Sequence, residues 1–156
     1  MKYNMTLQQC LDDPTLLGQV MRGPTWAKMR TILKSAVCQQ LTPDELVHFR
    51  ELTERDNPPA FVTVVEMLLG RRSGKDNGVA ALGVYLSAIC DWSDVLSIGE
   101  VGTLLIVAPD LKQSRTTLQY VSGILHSTER LAAEIVGETA DQIELRNGIV
   151  IEARSS

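Results

Sequence analysis

Residues 61–77 read Phe61-Val62-Thr63-Val64-Val65-Glu66-Met67-Leu68-Leu69-Gly70-Arg71-Arg72-Ser73-Gly74-Lys75-Asp76-Asn77, and their reading decides the fold. The first nine are rich in β-branched residues and nearly continuous in apolarity, which predicts a strand buried on both faces of a parallel sheet. Gly70–Asp76 is a polar, glycine-bearing turn. From Asn77 to Cys90 there are 14 residues without a charge. Val79, Ala80, Leu82, Val84, Leu86 and Ile89 in that run predict a helix buried on most sides.

Downstream, Thr103–Ala108 reads as a second buried strand, stopped by Pro109. Leu111, Leu118, Val121 and Leu125 then mark an amphipathic helix. Ile143–Arg146 and Ile149–Glu152 flank Asn147-Gly148, a strong hairpin signal that suggests a type I′ turn. Upstream, Trp26, Met29, Leu33 and Val37 recur at helical spacing. A second helix starts at Thr42-Pro43-Asp44-Glu45, a capping box with proline at the first helical position; Leu46, Phe49 and Leu52 form its stripe. Arg55–Pro59 cannot continue a helix. The expectation is a helical segment, 1–54, followed by an α/β unit, 55–156, with right-handed crossovers.

The 156 residues suit one compact domain, and 44% hydrophobic content supports a core. Fifteen basic and 19 acidic residues give a net charge of -4, so the overall charge does not announce a nucleic-acid binder. Three scattered cysteines without a C-x-x-C pair argue against a disulfide framework or a cysteine zinc site. No apolar run approaches the roughly 20 residues of a membrane span, and no apolar signal core precedes Asp12. A reduced, cytoplasmic protein is expected.

The turn carries the chemistry. In the pattern G-x-x-x-x-G-K-[ST], Gly74 and Lys75 sit where a phosphate-binding loop requires them. Small residues let backbone N–H groups turn inward around phosphate oxygens, and the following helix aims its positive end at the same anion. Lys75 would reach the β- and γ-phosphates. Two positions depart from the pattern. Leu69 stands at the first glycine, with Gly70 one residue late, and Asp76 replaces the Mg²⁺-binding hydroxyl. A carboxylate is a hard-oxygen ligand and can hold that ion directly; Asn77 offers a second polar contact. The alternative is a solvated turn that merely joins strand to helix.

With these motifs in view, the chain resembles the ATPase half of tailed-phage terminase large subunits, over residues 40–156. Asn57-Pro58-Pro59 leads into the first strand. Glu66–Asp76 is similar to the family's Arg-rich phosphate loop. Leu105–Ser114, with Ala108-Pro109 and Gln113, resembles the next strand and its Ala-Pro-x-x-x-Gln segment. Ile143–Ser155 resembles the hairpin before the acidic strand. The resemblance implies a P-loop NTPase-like α/β fold, with a mostly parallel sheet, flanking helices and an N-terminal helical segment. It implies ATP and Mg²⁺ as cofactors. Lys75 and Arg71 would be catalytic, with Arg72 in reserve for Arg71. Gly70, Ser73 and Gly74 would shape the loop, and Asp76 would take the metal.

It further implies double-stranded DNA, a portal and a small terminase subunit as partners, a homo-oligomer when full length, and the host cytoplasm as location. The family's hydrophobic strand ending in Asp-Glu does not follow the hairpin. The expectation is therefore an incomplete core that binds nucleotide and hydrolyses it very slowly. Two rivals are a degenerate, non-hydrolysing P-loop scaffold that binds protein, and another DNA-tracking ATPase such as a helicase.

Other chemistry is thinly represented. His48 and His126 lack partners at ligand spacing, Cys90 suits a packed thiol, and Ser73 has no base beside it in sequence. Trp26 and Trp92 read as core or boundary anchors. Lys28, Arg30 and Lys34 read as the solvated face of a helix. Lys112 and Arg115 are better placed for DNA, by analogy alone.

Overall fold

The capping box forms as the sequence dictates. Thr42 Oγ1 accepts from the Glu45 amide, Glu45 returns a bond to the Thr42 amide, and helix α3 runs Pro43–Thr53. A second capping box, Thr6 with Gln9, starts α1, Leu7–Asp12. The computed structural model describes residues 2–3, 5–70 and 73–156. Between α1 and α3 lies α2, Ala27–Ala36, which buries Met29 and Leu33 and carries Val37 into the core just past its end.

The expected buried helix is α4, Lys75–Val84, which continues as a wider π turn to Ile89. Gly78, Ala80, Ala81, Gly83, Val84, Tyr85, Ser87 and Ile89 are all buried. Strand β3, Gly102–Ala108, and helix α5, Leu111–Leu125, follow. A short α6, Glu129–Ala132, leads to β4, Ile135–Glu138; β5, Gln142–Leu145, and β6, Ile149–Ser155, make the hairpin. Two short strands, β1, Lys2–Tyr3, and β2, Cys90–Asp91, pair antiparallel.

The main sheet has the order β3-β6-β5-β4. Only β3 and β6 run parallel; the other two pairings are antiparallel. The protein is α/β as expected, but the sheet is mixed rather than mostly parallel. The hairpin forces this result, because its tight turn reverses the chain and β4 then pairs with β5. Leu7, Leu17, Leu33, Ala81, Tyr85, Val121, Ile143 and Ile151 belong to one continuous core, so helices of residues 1–54 and the sheet share an interior.

Four readings require correction. Phe61–Leu69 forms no strand; it crosses the surface as an irregular segment, with Phe61 78%, Val64 74% and Leu68 102% exposed. Strand-forming side chains confer preference, but a strand exists only where a neighbour completes its hydrogen-bond ladder. β3 is buried on one face instead of two: Leu104 and Ile106 turn inward while Thr103, Leu105 and Val107 face out. In α3 only Phe49 of the three stripe residues is buried, and Leu52 is exposed.

The hairpin turn is also of another type. Gly148 has φ +82° and Asn147 does not have a positive φ, so Arg146–Gly148 forms a three-residue connection and not a type I′ turn. The Asn147 amide is otherwise engaged. Its nitrogen donates to the Ser87 carbonyl at 2.7 Å, while its oxygen accepts from the Ile149 amide at 3.1 Å.

Candidate functional site

The start of α4 is built from glycine. Gly74 is the residue before the helix, with φ +76° and ψ +14°, a left-handed conformation that other residues adopt only at a cost. No side chain caps this helix, and its first internal bond runs from the Gly78 amide to the Gly74 carbonyl at 2.9 Å. The amides of Lys75, Asp76 and Asn77 therefore lack helical acceptors, and the helix dipole adds partial positive charge at the same point.

Helix α2 closes onto this start. A Cβ at Gly74 would lie 2.5 Å from the Trp26 ring, and one at Gly78 would lie 2.7 Å from Met29 Sδ. Trp26, the residue before α2, and Met29 are three residues apart, and Gly74, the residue before α4, and Gly78 are four apart. Glycine at both positions allows the close approach. Trp26 is thus a wall of the turn. Its apolar spacing was legible, but its meeting with Gly74 joins positions 48 apart, and no local signal announces it.

Ser73, Lys75 and Asp76 are exposed at the turn, Gly70 lies just before it, and Asn77 is half-buried. Asn77 faces a different direction. It lines a groove of about 510 Å³ with Val20, Gln119, Tyr120 and Ile124, on the α5 side of the helix. Arg71 and Arg72 lie outside the described residues. The structure accordingly brings together a glycine bend, one ammonium and one carboxylate at an open helix start. It does not place a sheet strand in front of them.

A triphosphate tail suits the three open amides and the Lys75 ammonium. Mg²⁺ commonly takes one carboxylate together with phosphate oxygens, and Asp76 is the one carboxylate at the start of α4 that would suit that place. Among the described residues no group of three or more His, Cys, Asp or Glu side chains comes together, so a cage made wholly of protein ligands is not formed there.

Other candidates are committed elsewhere. Lys34 is not solvated: it is 3% exposed, and its Nζ lies 2.6 Å from Glu45 Oε2. Burial opposes the charge on Glu45, but the bonds from Lys34 and the Thr42 amide prevail and hold its carboxyl below the usual range. Arg30 pairs with Asp12 and Lys28 with Glu51. Arg115 makes two bonds to Asp141, at 2.5 and 2.9 Å, so its guanidinium is already occupied by a carboxylate. Burial pushes the Cys10 thiol up to about 12 and the Cys90 thiol up to about 11, which keeps both as unreactive packing groups.

His126 Nε2 lies 2.9 Å from Glu138 Oε2, and Ser122 Oγ donates to Glu138 Oε1 at 2.5 Å. The carboxylate thus stands between serine and histidine, whereas a hydrolase requires the histidine there. No helix of the described residues is long and apolar enough to cross a membrane. Comparison with known protein families, with curated proteins and with solved structures finds no match to this chain.

Proposed function

We propose that the chain is the ATP-binding part of a viral DNA-packaging motor of the terminase large-subunit kind, and that it holds ATP-Mg²⁺ through a variant phosphate loop. The observation that carries the reading is the uncapped start of α4, where left-handed Gly74 leaves the amides of Lys75, Asp76 and Asn77 open beside the Lys75 ammonium. Lys75 binds the β- and γ-phosphates. Ser73 and Gly74 shape the bend, and Arg71 is assigned to the γ-phosphate by the resemblance. Asp76 takes the metal, and bound Mg²⁺ neutralises phosphate charge. Double-stranded DNA, a portal and a small terminase subunit are the partners this reading implies, and a homo-oligomer is its assembly.

Under this reading the chain binds nucleotide, and hydrolysis is slow because the turn gathers no pair of acids to polarise a water. Titration with a fluorescent ATP analogue tests it. Binding is expected with Mg²⁺, lost in Lys75→Ala, and less dependent on Mg²⁺ in Asp76→Ala. Because Trp26 touches Gly74, its intrinsic fluorescence should change on the same titration. Absence of binding at millimolar nucleotide defeats the reading.

A second reading, a degenerate scaffold that engages protein, is favoured by one specific feature: the exposed apolar side chains of Phe61, Val64 and Leu68 directly before the turn. It predicts no rise in melting temperature with ATP-Mg²⁺, whereas the first predicts a rise that grows with ligand concentration.

A further inference from the structure

We propose that Phe61–Leu69 is a strand donor for a second copy of this chain, adding along the open edge of β3 while the partner's segment adds to the first copy in return. The donor has the composition of a strand. Five successive residues, Phe61-Val62-Thr63-Val64-Val65, are aromatic or β-branched, and Glu66 is the only charge among the nine. Among the described residues this segment pairs with no strand. It is nevertheless seated along one side against its own chain. Val62, Met67 and Leu69, all half-buried, line a groove of about 490 Å³ with Ile32, Phe49 and Leu52 of the two neighbouring helices. Val64, Val65 and Leu68 lie along the same groove yet stay exposed, as does Phe61 just before them.

The acceptor is plain to the point of exposure. β3 is the terminal strand of its sheet, and Gly102–Ala108 contains no charge and no proline. Leu105 and Val107 face solvent, with Val101 and Ile98 exposed just before them. The opposite edge is different. β4 carries a register shift between Ile135 and Gly137 and ends in Glu138, and both features discourage another strand from pairing. One edge is thus blunted and the other left open.

A second copy is the occupant that satisfies both halves at once, because each chain carries one donor and one acceptor. A closed two-fold exchange results, with each copy giving and receiving a strand. Two such pairings, each about 23 Å along a seven-residue β3, together bury surface on the order of the 1,200–2,000 Å² found in stable interfaces. The chain's net charge of -4 does not oppose contact here, since Glu66 is the only charge of donor and acceptor combined. The inference does not depend on nucleotide, and its test contains none.

The test is light scattering on the full chain across a concentration series. The wild type is expected to be a dimer. Val64→Lys with Leu68→Lys removes the donor, and Leu105→Lys with Val107→Lys removes the acceptor. Each double variant alone is expected to dimerise at least tenfold more weakly, with an unchanged circular dichroism spectrum because all four side chains are exposed. Mixed together, the two variants are expected to associate, since the acceptor variant keeps its donor and the donor variant keeps its acceptor. Should lysine unfold either protein, asparagine at the same positions lowers strand preference and apolar contact without adding charge, and gives the same readout. A monomeric wild type overturns the proposal. So does a dimer that either double variant leaves intact, or a mixture that does not associate.

Discussion

Two passages of this chain share one plan, an apolar run followed by a turn and a helix, and they end in opposite states. At Gly102–Leu125 the run becomes β3, paired along its length with β6, and the helix start is closed by Asp110, whose side chain accepts from the Gln113 amide at 2.9 Å. At Phe61–Ile89 the run stays unpaired and the helix start is left open behind a left-handed glycine. The difference shows that an apolar run supplies only the preference for a strand. A partner supplies the strand itself, and the residue before a helix decides whether its amides serve the protein or stay available to an anion.

The largest contrast lies in packing. Leu104 of β3 approaches Gly83 of α4 and packs against the core; Leu68 touches little, being fully exposed. Leu104→Ala is expected to cost about 2–3 kcal/mol, the lower part of the range for a leucine that is not completely buried. Leu68→Ala should change stability by no more than about 0.5 kcal/mol. Urea denaturation of monomeric protein at low concentration measures both. A loss above about 1 kcal/mol in Leu68→Ala would mean that the segment is already packed within its own chain, and the comparison would fail.

Next come the two helix starts. Gly74→Ala forces a side chain into φ +76° and into the Trp26 ring, and the left-handed conformation alone costs about 1–2 kcal/mol. With the ring displaced, a total of about 2 kcal/mol is expected, or a fall in Tm of about 4–8 °C for a chain of this size. Asp110→Ala removes one side-chain cap and should cost about 1 kcal/mol. If Gly74→Ala is the milder of the two in thermal melts, Trp26 does not wall the turn.

The divide between what sequence revealed and what it concealed follows the distance over which each contact acts. The box at Thr42 and Glu45 and the stripe Met29–Leu33–Val37 depend on neighbours within a few residues, and both were legible; the buried helix was legible too, though it starts at Lys75 and not at Asn77. Asn147-Gly148 marked the hairpin correctly. Its turn type was hidden because the Asn147 side chain reaches Ser87, 60 residues earlier. Lys34 looked solvated because its partner Glu45 lies on the next helix. The strand reading of Phe61–Leu69 failed on the same ground, since ladder partners are remote in sequence and no residue in the segment records whether they exist. For the phosphate turn, the glycine bend and Lys75 could be read directly, while the Trp26 wall could not.

The smallest effect concerns the far end of the well-anchored helix. Glu138 receives the Ser122 hydroxyl and faces His126 at the end of α5, and these bonds hold its carboxyl below the usual glutamate range of about 4.5. A carboxyl whose pKa is lower in the folded state stabilises the fold fully above its unfolded value. The contribution then disappears as pH falls through the lowered value. Because the group is exposed, it is worth only a few tenths of a kcal/mol. Glu138→Gln should therefore melt slightly below the wild type at pH 7, and the gap should close as pH falls below about 4.5. Thermal melts at matched ionic strength across that interval provide the check. A gap that stays constant with pH would mean that the end of α5 is held by the shape of the side chain and not by its charge, so that packing alone separates this helix from α4.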